Sequence, residues 1–385
     1  METNLLPTTW AEINLDNIEF NLNNIKKLLK EDTKVCCVLK ANAYGHGALP
    51  LAKFLEDKVD YLAVARLEEA LELKEINLDI LVLGYIPYES LEIAIKNDIT
   101  MTVYSLEMAR IIDTISKKLN KKSKIHIKID TGMNSLGFRF FGDCCDDIKV
   151  VFDELISFEN LDIEGIFTHF ATADEVDKTF SNLQIQRFKQ VIDYLSSINF
   201  DIRIKHISNS AGIIDFKDID FDMVRLGIAL YGYYPSCEVL KNNVDLKPAM
   251  TVKTRISNIK YIDKNEGVSY GLIHKANEKE LIATLPIGYA DGFSRMQKNP
   301  KVVIKGHTFD VVGRVCMDQC MVNIDKDIDI NIGDEVIIFG NGIISADDVS
   351  LDTICYEVLC NVSRRVSRVY IRSNNILQID NYLIK

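Results

Sequence analysis

Residues 38–47 read VLKANAYGHG, the end of an apolar strand followed by a lysine and a turn that contains two glycines. The residues from Val35 to Leu39 form an unbroken apolar run, which is typical of a parallel strand buried on both faces. Parallel strands present side chains to ligands at their carboxyl ends. Lys40 is therefore a candidate covalent catalyst, because a lysine amine can form a Schiff base. The alternative is a solvated lysine that only marks the end of the strand.

Strand-like runs of this kind recur along the first part of the chain and alternate with helical patterns. The eight runs are 35–40, 61–65, 79–84, 101–104, 124–130, 163–170, 204–210 and 223–230, and a helical apolar spacing over 15–29 precedes them. Eight strand–helix units within about 240 residues predict an α/β fold, a (β/α)8 TIM-like barrel over residues 1–242. A doubly wound open sheet is the alternative, but the first turn lacks the glycine-rich dinucleotide fingerprint of that fold.

The pattern changes to short alternating segments beyond residue 242. The segments are 251–259, 280–286, 301–304, 308–312 and 335–339, with a predicted helix over 346–360. Gly, Asn and Asp separate them, which is typical of a mainly antiparallel β domain. We assign residues 243–385 to this domain and expect residues 1–14 to pair with it.

Composition narrows the classes of function. The 385 residues carry a net charge of -11 and contain no basic cluster, which argues against a nucleic-acid partner. No stretch approaches the ~18 consecutive apolar residues of a membrane helix, and no secretory signal opens the chain. Nine cysteines include no CxxC spacing, so no metal site is predicted. These features favour small-molecule chemistry in the cytoplasm.

Polar residues collect at the predicted carboxyl ends of the barrel strands. Active sites of such barrels lie at that rim. Any one of these residues could be a strand end exposed to water, but together they predict a site there. They are Lys40, Lys128, Asp130, Thr168, His169, Asn209, Ser210 and Arg225.

The order and spacing of motifs along both predicted domains resemble those of alanine racemases, which use pyridoxal 5'-phosphate (PLP). The resemblance covers nearly the whole chain. The motifs are at 9–13, 40–47, 130–133, 168–171, His206, 209–211, 225–232, 268–271, 288–292 and 313–319.

The resemblance implies that Lys40 holds PLP as an internal aldimine. Racemisation needs a proton taken from one face of Cα and returned to the other, so two bases are the minimal design. In the family these match Lys40 and the partner subunit's Tyr270, which implies a homodimer with shared sites. His169 then bridges Tyr270 to Arg225. Arg225 faces the pyridine nitrogen and keeps it unprotonated, which favours reprotonation at Cα over transamination.

The resemblance also implies ligands for the cofactor phosphate. They are the hydroxyls of Tyr44 and Ser210 and the backbone N–H groups of Gly227 and Ile228, and Asn209 belongs to the same cofactor site.

The substrate side of the implied site comes from the partner subunit, whose Tyr289 and Met317 line the entrance. The implied activity is interconversion of L-alanine and D-alanine, which supplies D-alanine for peptidoglycan. A serine or broad-specificity racemase is the alternative. A fold-type III decarboxylase lacks support, because its glycine-rich phosphate loop and its Cys-Asp motif are missing. A non-enzymatic PLP carrier fits a lone barrel better than this chain.

The chain departs from the family pattern at Ser135, where relatives have an arginine near the substrate carboxylate. In the family a carbamylated lysine, Lys128 here, holds that arginine. Without the arginine we expect the carbamate to be less favourable and Lys128 to stay an ammonium. Arg139 or Arg364 could supply the missing charge. Arg364 itself stands where relatives have a tyrosine that reaches the phosphate.

Overall fold

A computed structural model of the protein describes residues 7–143, 145–219, 221–324, 328–340, 342–350 and 353–384. The described residues form two compact units. The barrel unit comprises 21–43 and 48–246, and the β unit comprises 7–20, 44–47 and 247–384.

Strands and helices alternate through the barrel unit, and strands dominate the β unit. The strands are β1 (Thr9–Asn14), β2 (Lys34–Val38), β3 (Tyr61–Val64), β4 (Asp79–Val82), β5 (Thr100–Val103), β6 (Ser123–Lys128), β7 (Leu161–Phe167), β8 (Ile204–His206), β9 (Met223–Leu226), β10 (Met250–Arg255), β11 (Asn258–Ile262), β12 (Gly267–Val268), β13 (His274–Lys275), β14 (Glu280–Leu285), β15 (Lys301–Ile304), β16 (His307–Val312), β17 (Cys320–Ile324), β18 (Glu335–Phe339), β19 (Ser367–Arg372) and β20 (Asn375–Asp380). The helices are α1 (Leu15–Lys26), α2 (Lys40–Tyr44), α3 (Ala48–Leu55), α4 (Leu67–Glu72), α5 (Leu91–Lys96), α6 (Leu106–Leu119), α7 (Ile148–Ser157), α8 (Thr179–Ser197), α9 (Ser210–Asp215), α10 (Ala346–Ser350) and α11 (Cys355–Cys360).

The eight-stranded sheet of the barrel unit is parallel, with the order β8-β7-β6-β5-β4-β3-β2-β9. Its two outer strands are joined by backbone hydrogen bonds from Asp222 N to Lys205 O (3.0 Å) and from Arg225 N to Ser208 O (2.9 Å). The predicted barrel is therefore confirmed, and every predicted run overlaps a strand.

Local sequence signals set the limits of the barrel helices. The Ser105 hydroxyl accepts a hydrogen bond from Met108 N at the start of α6, which is a standard N-cap. The same helix ends at Asn120, whose φ of 52° places it in the left-handed conformation that asparagine tolerates. The amphipathic face of α6 buries Met108 and Ile112. These signals fix where α6 starts and stops between β5 and β6.

The β unit contains a ten-stranded sheet with the order β11-β14-β17-β16-β15-β18-β10-β1-β19-β20. Strand β1 pairs antiparallel with β10 and parallel with β19. Its residues Trp10, Ala11 and Ile13 are buried. The N-terminal strand thus lies inside this sheet, third from one edge.

Two predicted elements of the β unit are divided in the structure. The predicted strand 251–259 becomes β10 and β11, because the chain changes partner there: Ile256 N donates to Asp334 O (3.0 Å), and Ser257 N donates to Thr284 O (2.9 Å). The predicted helix 346–360 becomes α10 and α11. Ile354 before α11 is extended (φ -116°, ψ 154°), and residues 351 and 352 lie outside the described part of the chain.

Residues Tyr44–Gly47, which the sequence analysis assigned to the barrel, lie in the β unit. Arg368 donates from Nε and Nη2 to Gly45 O (3.0 and 2.8 Å), and the Tyr370 hydroxyl donates to His46 O (2.9 Å). A Cβ at Gly45 would lie 2.1 Å from Leu359 O, so only glycine fits there. These contacts explain the assignment.

No helix in the described ranges is both long and apolar enough to cross a bilayer.

Candidate active site

The polar residues predicted for the rim lie at the carboxyl ends of neighbouring strands in the barrel unit. Lys128 is the last residue of β6, His169 follows β7 by two residues, and Arg225 lies within β9. Asn209 and Ser210 follow β8 at the start of α9. Lys40 lies two residues beyond β2, so it begins a turn rather than ending the strand as predicted. The strand ends were predicted one to four residues too long.

The turn that carries Lys40 is left-handed. Ala41, Asn42 and Ala43 all have φ between 53° and 56°, and Tyr44 follows with φ 51°. Left-handed backbone costs an ordinary residue roughly 1 to 2 kcal/mol, and such strain persists where surrounding contacts enforce it.

Three hydrogen bonds enforce the conformation of this turn. Glu69 Oε1 accepts from Ala41 N (2.6 Å), Leu39 O accepts from Ala43 N (2.8 Å), and Asn42 Oδ1 accepts from Ala48 N (2.9 Å). The Lys40 side chain is half-buried. Among the described residues, none forms an ion pair with its amine.

Arg225 is buried, and acceptors inside the barrel hold its guanidinium. Nη1 donates to His206 Nδ1 (2.9 Å), while Nη2 lies within hydrogen-bond distance of Thr168 O (2.8 Å), Ile207 O (3.0 Å) and His169 Nδ1 (3.0 Å). In the described ranges no group accepts from Nε. Burial lowers the pKa of Arg225 to about 10, so it stays a cation near neutral pH.

Lys128 is the second lysine of the rim. Burial, and next the charge of Arg225, lower the pKa of Lys128 to about 8, while Asp130 acts in the opposite sense and Lys40 adds to the lowering. Asp130 does not form an ion pair with it. Its Oδ1 instead accepts from the backbone N–H groups of Gly132 (2.9 Å) and Asn134 (3.1 Å). Lys128 is therefore a lysine with a substantial neutral fraction near neutral pH.

Ser210 and the 3-10 turn Ile228–Tyr231 form a small cradle of donors. The Ser210 hydroxyl accepts from Gly227 N (3.1 Å) and from Ala229 N (3.3 Å). Asn209 caps α9, because its Oδ1 accepts from Gly212 N (2.9 Å). This brings together Asn209, Ser210, Gly227 and Ile228, and the Ser210 O–H and the Ile228 N–H are donors that suit an anion.

His169 is the third polar residue around Arg225. Its Nδ1 must accept, because a guanidinium can only donate, and the proton of the neutral ring is then on Nε2. Burial and the charge of Arg225 hold the pKa of His169 well below its usual value, so the ring is neutral. In the described part of the chain no residue accepts from Nε2.

The three residues expected from a partner subunit lie on adjoining loops of the β unit. Tyr270 (66% exposed), Met317 (53%) and Tyr289 (42%) are all exposed. The Ser269 hydroxyl donates to Arg314 O (2.6 Å), and Tyr289 N donates to Cys316 O (3.1 Å). These bonds connect the three loops to one another.

A carboxylate–arginine–carboxylate group supports those loops. Asp291 Oδ2 accepts from Gly288 N (2.9 Å), and Asp291 Oδ1 accepts from Arg365 Nε (2.6 Å). Arg365 Nη2 also donates to Asp318 Oδ1 (2.7 Å). The side chains of Tyr289 and Met317 therefore project from a cross-linked surface.

Of the residues named in connection with the missing arginine, Ser135 and Arg139 belong to the barrel unit and Arg364 to the β unit. Ser135 is exposed. The guanidinium of Arg139 lies over the Phe141 ring (4.5 Å), and its Nε donates to Phe141 O (3.3 Å), so its charge belongs to that loop. Arg364 lies over the Tyr382 ring (5.2 Å) within the β unit.

Sequence reasoning did not identify several residues that position the rim. Gln184 of α8 donates to Thr131 Oγ1 (3.0 Å) and to His169 O (2.9 Å), and its Oε1 accepts from Ala171 N (2.9 Å). Glu69 holds Ala41 from 28 residues away. Nothing in the local sequence of α4 or α8 signals these long-range bonds.

Fold and site together define a class, a (β/α)8-barrel enzyme whose rim carries a lysine, an anion cradle and a buried arginine. The family models that match are those of the alanine racemase N-terminal domain, over residues 13–235, and the alanine racemase C-terminal domain, over residues 249–370. This chain belongs to the alanine racemase family.

Individual relatives are similar over nearly their full length. The alanine racemase of Clostridium tetani is 46% identical over 388 residues, which cover 98% of this chain and 99% of that protein. The structure of the alanine racemase of Clostridium difficile 630 is 55% identical, with a TM-score of 0.95, and covers 99% of this chain and 100% of that one. A second structure, of that racemase in complex with cycloserine, is 53% identical, has a TM-score of 0.93 and has the same coverage.

Proposed function

We propose that this protein is a PLP-dependent alanine racemase. The observation that carries the proposal is the rim of the barrel unit, where one set of strand ends bears Lys40, the Ser210 cradle and Arg225. Membership of the family supports the reaction, and the cycloserine complex of a relative supports an amino acid as substrate.

The donors at the rim fit PLP. The cofactor presents an aldehyde, a phosphate dianion and a pyridine nitrogen, for which Lys40, the Ser210 cradle and Arg225 Nε are suitable partners. Asn209, Gly227 and Ile228 belong to the proposed phosphate site, and Tyr44 is proposed to add its hydroxyl. Bound PLP supplies an electron sink that acidifies the Cα–H bond of an attached amino acid.

Arg225 contributes a permanent cation. Its pKa of about 10 leaves it protonated near neutral pH, so it can donate to the pyridine nitrogen but not protonate it. An unprotonated ring is the weaker electron sink, which limits charge delocalisation and favours return of the proton to Cα.

Two bases are proposed to carry the proton. Lys40 Nζ would take or return it on one face of Cα, and the phenolic oxygen of the partner's Tyr270 would act on the other face. Tyr270 is exposed within its own unit and is therefore available to a second subunit. His169 Nε2–H is a suitable donor to the phenolate of the partner's Tyr270, and the partner's Tyr289 and Met317 are proposed to line the substrate entrance.

Lys128 and Ser135 are proposed to set the charge around the substrate carboxylate. Lys128 is influenced by the cations Arg225 and Lys40. They would stabilise an anion on Lys128 as well as lower its pKa. The state of Lys128 therefore stays a prediction, to be decided by the mass of the native protein.

The proposal extends to the oligomeric state of the enzyme, the roles of its two units and its location. It acts as a homodimer, because each site needs Tyr270 from the other chain. The barrel unit binds PLP and the β unit completes the partner's site. A cytoplasmic racemase would supply D-alanine for peptidoglycan.

The test is racemisation of L-alanine and L-serine with added PLP, followed by borohydride reduction and peptide mapping. We expect D-alanine as the faster product and the reduced cofactor on Lys40. Lys40→Ala should abolish both activity and label, whereas the matched variant Lys128→Ala should keep the label. Label on Lys128 would contradict the mechanism, and a serine rate well above the alanine rate would establish the serine alternative.

A further inference from the structure

A continuous chain of buried polar side chains runs through the interior of the barrel unit, away from the rim. It begins at Arg225 in β9 and passes through His206 in β8 and His126 in β6 to Glu164 in β7. The distances are 2.9 Å from Arg225 Nη1 to His206 Nδ1, 2.8 Å from His206 Nε2 to His126 Nδ1, and 3.2 Å from His126 Nε2 to Glu164 Oε2. All four residues are buried.

The chain ends at the opposite end of the barrel. The Tyr61 hydroxyl donates to Glu164 Oε2 (2.9 Å) and lies 2.7 Å from Thr100 Oγ1. Lys124 and Arg203, near the amino ends of their strands, each have a nitrogen 3.8 Å from Glu164 Oε1. Both carboxylate oxygens of Glu164 thus have partners, Oε2 through hydrogen bonds and Oε1 through two nearby cations.

All the hydrogen bonds of this polar chain are donated in the same direction, from Arg225 toward Glu164. Arg225 can only donate, so His206 Nδ1 must accept, and the proton of the neutral His206 ring is on Nε2. His206 then donates to His126 Nδ1, and the His126 proton is likewise on Nε2. Glu164, an acceptor when ionised, receives it. An additional proton on His206 Nδ1 would face the N–H donors of Arg225 and remove their acceptor. An additional proton on His126 Nδ1 would face His206 Nε2–H and remove the acceptor of that group.

The electrostatics agree with this assignment. Burial would raise the pKa of Glu164, but hydrogen bonds from His126 and Tyr61 outweigh it and hold the pKa at about 2. Burial lowers the pKa of His126 despite the pull of Glu164, and burial with the charge of Arg225 holds the pKa of His206 well below its usual value.

The backbone is also built around the chain. A Cβ at Gly165 of β7 would lie 2.6 Å from the His126 ring, so the glycine leaves the space that the imidazole fills. The register between β6 and β7 shifts between Ile125 and His126, beside this glycine. The Phe167 ring stacks on His206 with 4.7 Å between centroids.

We propose that Glu164, His126 and His206 are positioning residues for Arg225: the carboxylate fixes one neutral tautomer in each imidazole, and the tautomers fix the Nη1 group of the guanidinium. The proposal rests on the proposed function, since it explains how Arg225 is held for its role there. His169 and the carbonyls of Thr168 and Ile207 hold the other nitrogen, Nη2. The chain supplies the acceptor for Nη1.

The test is long-range ¹H–¹⁵N correlation NMR on the deuterated PLP-loaded dimer with ¹⁵N-labelled histidine. The chain has six histidines, and single His→Gln variants assign the signals. We expect His126 and His206 each to show a protonated Nε2 and a bare Nδ1. An imidazolium or an Nδ1–H tautomer at either residue would overturn the inference. The tautomers are observed in the unmodified protein, and the His→Gln variants serve only to assign its signals.

Variants test the positioning role. His126→Leu removes the acceptor of His206 Nε2–H, so the His206 signals should move toward the Nδ1–H form and kcat should fall about tenfold with KM little changed. Ser116→Ala is the matched control, because it removes a buried hydrogen bond, Ser116 Oγ to Ser123 Oγ (2.6 Å), that involves no member of the polar chain. It should leave the His206 signals and kcat unchanged. Unchanged His206 signals and kcat in His126→Leu would refute the role.

The two proposals fail differently. If the unmodified dimer shows the expected tautomers but racemises no amino acid, the proposed function is wrong and the tautomer assignment stands. If it racemises alanine but either imidazole is charged or reversed, only the positioning chain is wrong.

Discussion

The pKa values of two lysines in the same barrel strand should be shifted in opposite directions. Lys124 lies near the amino end of β6 and Lys128 ends it. Burial, Arg225 and Lys40 lower the pKa of Lys128 to about 8. Burial would also lower the pKa of Lys124, but hydrogen bonding to Asp79 and the charge of Glu164 raise it overall. The prediction is therefore tested by varying the pH of the cofactor-free protein.

The expected magnitude follows from the pKa of Lys128. At pH 7 a lysine with a pKa of about 8 is roughly 9% neutral, whereas one at the ordinary value of 10.5 is roughly 0.03% neutral. The neutral amine is the nucleophile, so Lys128 has about 300 times the reactive fraction of an ordinary lysine at pH 7, and we expect it to be labelled faster for its accessibility. Because loss of the proton creates the nucleophile, the reactivity of Lys128 should rise as the pH passes 8 and then level off.

The assay is trace labelling with acetic anhydride between pH 6 and 11, with each lysine quantified by mass spectrometry. The labelling midpoint of Lys128 should lie near 8, while that of Lys124 should lie above those of exposed lysines. Lys40→Met should move the midpoint of Lys128 upward, because one of the two cations is gone. As a control, Asp79→Asn should lower the midpoint of Lys124 and leave Lys128 unchanged. A Lys128 midpoint at the value of exposed lysines would refute the electrostatic reading of the rim.

Three further predictions concern the two-base mechanism, the missing arginine and the β unit. Tyr270→Phe should lower racemisation by about 10² to 10⁴ while Lys40 still exchanges the Cα proton of one enantiomer, and deuterium exchange into both enantiomers would argue against it. Ser135→Arg should lower KM for alanine by about tenfold, measured from initial rates, and an unchanged KM would show that the position does not reach the carboxylate. Arg368→Lys should lower the melting temperature by several degrees, because each buried carbonyl left unpaired costs about 1 to 3 kcal/mol of stability. Arg364 is exposed, so the control Arg364→Lys should leave the melting temperature unchanged. Equal shifts in the two variants would contradict a stabilising role for the hydrogen bonds from Arg368 to Gly45 O.

The barrel was predictable because its signal is local. A strand buried on both faces is mostly apolar, and eight such runs occur at the spacing that a barrel requires. Where each strand ends was not predictable. The chain after β8 leaves the sheet because Asn209 caps α9, and beyond β6 the Lys128 carbonyl accepts from Phe138 N (2.9 Å). These are tertiary contacts, and the residues of the strands themselves do not indicate them.

The rim was predictable as a set of residues but not as an arrangement. Lys40, His169 and Arg225 could be identified because motifs of the family mark them. The left-handed turn after Lys40 depends on Glu69, and its continuation depends on Arg368, 323 residues from Gly45. Ala41 and Ala43 are ordinary helix formers, so the sequence gives no indication of positive φ.

The charge balance of the rim links the departure at Ser135 to the state of Lys128. The chain is acidic overall, with a net charge of -11, yet the charges of Arg225 and Lys40 both lower the pKa of Lys128, and Asp130 opposes them. A phosphate and a substrate carboxylate would each add negative charge, and negative charge nearby raises the pKa of a lysine. We therefore expect Lys128 to lose its proton readily in the free protein and to regain it when anions bind. An arginine at position 135 would have supplied that positive charge permanently. With serine there, a lysine poised near neutral pH can supply it when the ligands are present.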